Sequence, residues 1–213
     1  SDIIADPLET AARQRSISHR AIPLPRDLYG EERPNSNGLD ITDPHVLVPL
    51  SQTMTKAVRK GWKAAPLLGG QDVAGAAREV TNPANRDEVV GTIVQADAAI
   101  AEQALDRALK AQPAWDEKPA TERAVILNRA ADLFEENGAS LMALAIKEAG
   151  KTMNDAIAEL REAVDFLRYY AARAADEFGP APDEGGFELH GRGVFLCISP
   201  WNFPLAIFTG QVS

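Results

Sequence analysis

The sequence predicts an α/β fold in which a helical layer and a β-hairpin precede the opening strand of an open parallel sheet. Three observations carry that reading. Val194 to Ile198 is a short run of β-branched and large apolar residues, the pattern of a strand covered on both faces. Pro200 and Pro204 follow, bracketing Trp201, Asn202 and Phe203 in an elbow that both prolines stiffen, and Pro204 suits the first position of a further helix. Upstream, several stretches repeat apolar residues at helical spacing. Strand, elbow and helix in that order place side chains at the carboxyl end of a parallel sheet, where open α/β folds bind ligands.

Taken in order, residues 1–50 read as a connector. Asp6-Pro7 opens a short helix through Arg15. Ile22-Pro-Leu-Pro-Arg-Asp-Leu-Tyr-Gly30 and Arg33-Pro-Asn-Ser-Asn-Gly38 then favour extended and turn conformations. Leu24, Leu28, Tyr29 and Leu39 are expected to hold this segment against a domain surface, a flexible tail being the alternative. Asp43-Pro44 caps a helix over about 45–63, with Val46, Leu47, Leu50, Met54, Val58 and Trp62 on its apolar face. Residues 65–75 are turn-like. Residues 79–94 read as two strands around an Asn82-Pro83 turn.

Helices follow. Asp97 caps the first, which Pro113 ends, with Ile100, Ala101, Ala104, Leu105, Ala108 and Leu109 on one face. Pro119 starts the second, which runs to Asn137-Gly138 with an apolar face of Val125, Ile126, Leu127, Ala130, Leu133 and Phe134. Residues 139–149 make a third, closed by Gly150. The longest spans 151–178, with Met153, Ile157, Leu160, Val164, Leu167, Ala171, Ala174 and Phe178 as its seam. At ~1.5 Å per residue it extends about 40 Å and reads as a helix packed across a core. Gly179 to Gly186 breaks it, and residues 187–190 read as a short strand.

Composition narrows the function. A net charge of −9 without a basic stripe argues against nonspecific nucleic-acid binding and against an anionic membrane surface. No apolar run approaches the ~20 residues of a membrane span, and the N-terminus has no basic-then-apolar leader pattern. A single cysteine, Cys197, excludes an intrachain disulfide and fits a reducing compartment. His19, His45 and His190 are scattered, so no metal-ligand cluster is expected, and no glycine-rich phosphate loop is present.

Three side chains are chemical candidates. Cys197 sits mid-strand with no adjacent base, so it reads as inert. Asn202 carries two uncharged donors on a stiff elbow. It either aims them at a developing oxyanion or ties the turn to itself. Glu148 ends a helix just before Gly150-Lys151 and reads as a surface carboxylate unless a cationic substrate group meets it.

At Ile198-Ser-Pro-Trp-Asn-Phe-Pro204 the sequence resembles the aldehyde dehydrogenase superfamily. Asn82-Pro-Ala, Glu122-Arg123 and Lys147-Glu-Ala-Gly-Lys151 support the likeness. Within the superfamily, Ala158-Glu-Leu-Arg-Glu-Ala-Val-Asp-Phe-Leu-Arg-Tyr-Tyr-Ala171 and Cys197 to Gln211 resemble the Δ1-pyrroline-5-carboxylate dehydrogenases, and residues 22–40 resemble the connector of the bifunctional proline utilization A family.

The resemblance implies residues 1–50 joining a proline dehydrogenase barrel, where FAD binds, to residues 51–213. These last would be the N-terminal portion of the NAD-binding aldehyde dehydrogenase domain, incomplete as a domain and holding the first strand of its Rossmann-like sheet. It implies oxidation of L-glutamate γ-semialdehyde to glutamate with NAD, in a bacterial cytoplasmic homo-oligomer. Asn202 then corresponds to the oxyanion donor, while Ile198, Ser199, Pro200 and Trp201 line the cofactor. Phe203 and Phe208 approach the aldehyde channel, and Glu148 can face the substrate's amino group. The family's nucleophilic cysteine and base glutamate would fall after Ser213, so this chain alone is expected to be inactive and stable only beside the rest of its polypeptide. A monofunctional semialdehyde dehydrogenase and a non-catalytic helical interaction module are the alternatives.

Overall fold

The computed structural model describes residues 6–13, 21–178 and 189–213. Helix α1 (Pro7–Arg13) begins where Asp6 Oδ1 accepts the Leu8 N–H at 2.8 Å. His19, and the first part of the strand expected at 187–190, lie outside the described residues. Leu189 and His190 are not in a strand.

The connector docks through polar groups rather than through the apolar side chains expected to hold it. Leu24, Leu28 and Tyr29 are exposed, whereas Asn35 and Ser36 are buried. Ser36 donates its backbone N–H (2.7 Å) and its hydroxyl (2.9 Å) to Asp165, and its hydroxyl oxygen accepts from Arg161 Nε at 3.2 Å. Asn37 donates from backbone and side chain to Glu135. A segment without helix or strand must satisfy its N–H groups elsewhere, and carboxylates on neighbouring helices do so here. Leu39, of the expected anchors, packs on the core.

Helix α2 (Pro44–Lys60) is capped by Asp43, which accepts the His45 N–H at 2.8 Å, and ends at Gly61 with φ 65°. Trp62 therefore leaves the helix in which it was expected and starts β1 (Trp62–Ala64). Within the expected turn, β2 (Leu67–Leu68) and β3 (Gln71–Asp72) form a two-residue ladder. The expected hairpin is present as β4 (Ala77–Asn82) and β5 (Asn85–Val94). Its turn is tied by Asn82 Oδ1 accepting the Ala84 N–H at 2.9 Å. The sheet order is β1-β5-β4, with β1 parallel and β4 antiparallel to β5.

Helix α3 (Ala98–Asp116) is capped by Asp97 as expected but runs through Pro113. Proline in a last turn removes one donor and leaves the turn otherwise intact, and the Pro113 carbonyl still accepts from Glu117 N–H at 3.0 Å. No described residue of α3 is buried. Leu105 and Leu109 on its expected core face stand more than half exposed, because no described element packs along that face. Polar contacts attach the helix instead, from Arg107 to the Leu68 carbonyl and from Asp116 to residues 190–191.

Four helices form the packed layer: α4 (Ala120–Glu136), α5 (Gly138–Ala149), α6 (Met153–Glu177) and α7 (Ala206–Val212). α6 lies at its centre against α4, α5 and α7, and α2 covers α5. The expected seam of α6 is buried at Ile157, Leu160, Val164, Leu167 and Ala171. Phe178, at its end, is exposed. α4 turns only half of its expected face inward, together with alanines that were not on it. Ala120, Ala124 and Ala131 are buried, with Leu127, Ala130 and Phe134 partly so, while Val125, Ile126 and Leu133 point outward. The alanine row admits α6 closely. Arg168, buried on α6, locks the pair through Asp132 (2.8 Å) and Glu135 (3.2 Å). No helix among the described residues is long and apolar enough to cross a membrane.

Close approach of β1 to β5 depends on Gly91, where an added Cβ would clash with the Trp62 carbonyl oxygen. Gly91→Ala is expected to lower stability by about 1–3 kcal/mol, read as a lower denaturant midpoint at unchanged slope. An unchanged midpoint would mean that β1 is not held against β5.

Candidate active site

The elbow is a short turn, closed by the Phe203 N–H to the Pro200 carbonyl at 3.3 Å. α7 begins at Ala206, two residues later than expected from Pro204, which lies within the turn. Leu205 stands at the N-cap of α7 and has no side chain able to cap it. The exposed donors of a helix N-terminus need an acceptor, and Glu159 supplies it from α6. Its Oε2 accepts Leu205 N–H at 3.2 Å and Ala206 N–H at 2.8 Å. Glu159 is 2% exposed. Its other oxygen lies 2.9 Å from Lys151 Nζ, an ion pair rather than an aligned hydrogen bond. The same ammonium stands 4.4 Å from the centre of the Phe203 ring. Sequence reading missed both Lys151 and Glu159. The available signal was a carboxylate in the row Ala156, Glu159, Ala163, on a face of α6 that is otherwise apolar.

The Val194–Ile198 run is not a strand in the structure. It takes no regular structure, and no described residue pairs with it in a ladder. Its side chains are correspondingly open, with Leu196 at 86% exposure. A strand exists only through its neighbours' N–H and C=O groups, so apolar patterning cannot form one alone. Two contacts to α7 hold the segment. Cys197 donates its thiol to the Gln211 carbonyl at 3.2 Å, and Gln211 Nε2 donates to the Ile198 carbonyl at 3.1 Å. Cys197 is thus half-buried, not sealed inside a sheet.

Of the expected site residues, Trp201, Asn202, Phe203, Phe208 and Ile198 are exposed, while Ser199 and Pro200 are half-buried. Asn202 makes no hydrogen bond among the described residues, so it does not tie the turn to itself. Glu148 is exposed near the end of α5, and it too makes no ion pair or hydrogen bond among the described residues. A carboxylate at a helix C-terminus opposes the helix dipole, so its position carries no local benefit. Gly150 closes α5 in the left-handed conformation, φ 67°, and aims the chain so that Lys151 reaches the elbow. One end of α5 therefore carries Glu148 and, through Lys151, touches Phe203. Phe208 lies one turn into α7. A groove of about 380 Å³, lined by Trp115, Arg123, Leu127, Tyr170 and Phe178, lies at the other end of α6 and holds none of these residues. No group of three metal-ligating side chains occurs among the described residues.

The hairpin is fastened to this end of α5. Lys147 Nζ donates to Glu88 at 2.7 Å, and Asn82 Nδ2 donates to the same carboxylate at 2.8 Å. These bonds, Lys147's first, hold the Glu88 carboxyl below the usual glutamate range.

Residues 71–213 match the family model described as aldehyde dehydrogenase family. The chain is 43% identical, over its whole length, to the bifunctional protein PutA of Escherichia coli, and 45% identical to that of Salmonella typhimurium. It spans about a sixth (16%) of the length of each. It is 37% identical to 1-pyrroline-5-carboxylate dehydrogenase of Anoxybacillus flavithermus, covering 73% of this chain and 33% of that protein. Among solved structures, proline utilization A of Bdellovibrio bacteriovorus superposes with a TM-score of 0.77 at 29% identity, covering 84% of this chain and 19% of that one. Thermus thermophilus 1-pyrroline-5-carboxylate dehydrogenase gives 0.69 at 29% identity, covering 83% and 36%.

Because its pKa is depressed in the fold, Glu88 contributes stability that is present above the ordinary glutamate value of about 4.3 and lost as pH falls through the depressed one. Glu88→Gln is therefore expected to lower the melting temperature at pH 7 and to converge on the parent in strong acid. A gap that stays constant down to pH 3 would show that the carboxylate's charge plays no part.

Proposed function

The chain belongs to the aldehyde dehydrogenase family, and from that premise we propose that it forms one wall of the active site of an L-glutamate γ-semialdehyde dehydrogenase within a longer bifunctional polypeptide. The overall reaction takes the semialdehyde, water and NAD+ to the glutamate carboxylate, NADH and two protons. The observation that carries the reading is the elbow itself: Asn202 is exposed, unpaired among the described residues and mounted beside a buried ionic anchor.

Asn202 Nδ2 donates to the aldehyde oxygen as negative charge develops on it, when a nucleophile from the rest of the polypeptide adds to the carbonyl carbon. An amide suits this role because it stabilises the oxyanion without a charge that would bind the ground state equally well. Ile198, Ser199, Pro200 and Trp201 form an uncharged surface, with Trp201 at 86% exposure, which fits the planar ring of the cofactor. When bound, NAD accepts the hydride leaving the aldehyde carbon. Phe203 and Phe208 line the approach of the substrate's methylene chain. Glu148 meets its ammonium, and having no ion pair or hydrogen bond among the described residues leaves that carboxylate available.

Bifunctionality is supported by coverage. The family model begins at residue 71, yet the bifunctional relatives align over the entire chain, including the connector before it. The 1-pyrroline-5-carboxylate dehydrogenases of Anoxybacillus flavithermus and three Bacillus species align with 61–73% of it. We place residues 1–50 as that connector and residues 51–213 as the dehydrogenase portion. The FAD-dependent proline dehydrogenase then lies elsewhere in a polypeptide that assembles as a homo-oligomer in the bacterial cytoplasm. This chain alone is inactive on that reading, since its cysteine donates its thiol to the Gln211 carbonyl and makes no other hydrogen bond or ion pair among the described residues.

In the full polypeptide, Asn202→Ala is expected to lower kcat for semialdehyde oxidation by ~10²-fold or more while NAD affinity holds; a normal kcat sinks the assignment. Glu148→Gln is expected to raise KM for the semialdehyde by about tenfold and to leave KM for a simple aliphatic aldehyde of the same length unchanged. Equal effects on both aldehydes would remove the ammonium contact.

A further inference from the structure

We propose that the buried Lys151–Glu159 pair is a positioning device for Asn202, fixing the height and orientation of the elbow from beneath; the proposal rests on the reading of Asn202 as the oxyanion donor.

Three features carry it. The elbow's own closure is weak, a single 3.3 Å hydrogen bond, and Asn202 has no side-chain restraint among the described residues. What fixes the elbow is therefore what holds its flanks. On the far flank, the Leu205 and Ala206 amides are held by Glu159 Oε2, and Ala206 is fully buried. Closer to Asn202, on the same side of it, the Phe203 ring lies under the Lys151 ammonium, whose place is set by the ion pair to Glu159 Oε1. Asn202 immediately precedes Phe203, so both restraints act within four residues of it.

The second feature is that the restraint belongs to the layer rather than to the turn. Glu159 lies on α6 next to Leu160 and Ala163 in the core, and Lys151 enters from the glycine-closed end of α5. Thr209 adds a bond from its hydroxyl to the Leu205 carbonyl at 2.7 Å, stiffening the first turn of α7. Positions held by packed helices are defined more tightly than positions held by loops.

The third is chemical. A lone buried carboxylate is costly unless it is paired and hydrogen-bonded. Glu159 answers that cost with two backbone donors that follow the elbow and an ammonium that touches its Phe203. Its charge also suits the positive end of α7. Moving the elbow would strand the charge, so the turn is held to one position.

The test is a double-mutant cycle in the full-length enzyme. Glu159→Ala is expected to lower kcat ~10- to 10²-fold, as for an active-site group displaced by about 1 Å, with KM for NAD within twofold. Glu159→Gln, which keeps an acceptor oxygen for the two amides, is expected to recover part of that loss. Placed on Asn202→Ala, Glu159→Ala should cost nothing further in kcat. Hydrogen exchange of the peptide spanning 200–206 should accelerate in Glu159→Ala while peptides within α4 and the hairpin keep their protection. If Glu159→Ala fails to fold, Lys151→Met/Glu159→Gln, which removes both charges together, takes its place in the cycle. Losses that multiply in the double variant, or a Glu159 variant as fast as the parent, overturn the positioning role. If Asn202→Ala is itself without effect, the oxyanion assignment falls and this proposal with it. A slow Asn202→Ala beside an unimpaired Glu159→Ala overturns this proposal alone.

Discussion

A carboxylate taken out of water holds the two halves of this structure together. Glu159 is buried where α6 meets α7 and the end of the elbow, and the groups that compensate its charge come from two other segments: Lys151 after α5, and Leu205 and Ala206 at the head of α7. Burial makes the arrangement cooperative. An exposed ion pair contributes little, because water replaces either partner. Here the carboxylate is buried, and loss of one partner leaves the others unsatisfied. The helical layer thus dictates where α7 begins. That start in turn dictates where the two prolines place the three residues between them.

This explains why the core is helical while the chemistry is not. α6 uses one face for the Ile157–Ala171 seam and an adjoining row, Ala156, Glu159 and Ala163, for the elbow. Small neighbours at 156 and 163 admit the backbone of α7 close enough for its amides to reach the carboxylate. Gly210 obeys the same constraint further along α7, where an added Cβ would stand 2.9 Å from the Phe166 ring. α7 is short, and its placement rests on close contact with α6 rather than on its own helical propensity.

What the sequence made legible was whatever depends on neighbours a few residues away. The Asp43 and Asp97 caps, the hairpin at Asn82, the glycine stop at 150 and the seam of α6 all rest on local spacing, and all are present. What it misplaced depends on distant partners. The apolar run at 194–198 is written as a strand, but a ladder needs a second strand. Leu105 and Leu109 form a proper stripe on α3 that no described element covers. In α4 the run Val125-Ile126-Leu127 makes the helix apolar on more than one side. Only the alanines that α6 approaches reveal which side is inward. The site followed the same rule. Asn202 stood out through its two prolines, whereas Glu159 became visible only once α7 was folded onto it.

Carboxylates that fasten the layer are paired, each with more than one donor, as at Asp165, Glu135 and Glu88. Asn202 and Glu148 are not, and each occupies a position that local energetics does not favour. Asn202 sits in a turn it does not stabilise, and Glu148 at the negative end of a helix. Both are joined to the layer through the Gly150–Lys151 corner and the Glu159 anchor. A residue that gains nothing from its own fold yet is held by a rigid support is arranged for something outside that fold. A donor and a carboxylate kept free on one such support match, on the proposed reading, the two charges of an amino aldehyde in reaction: the anion forming on its oxygen and the cation it carries throughout.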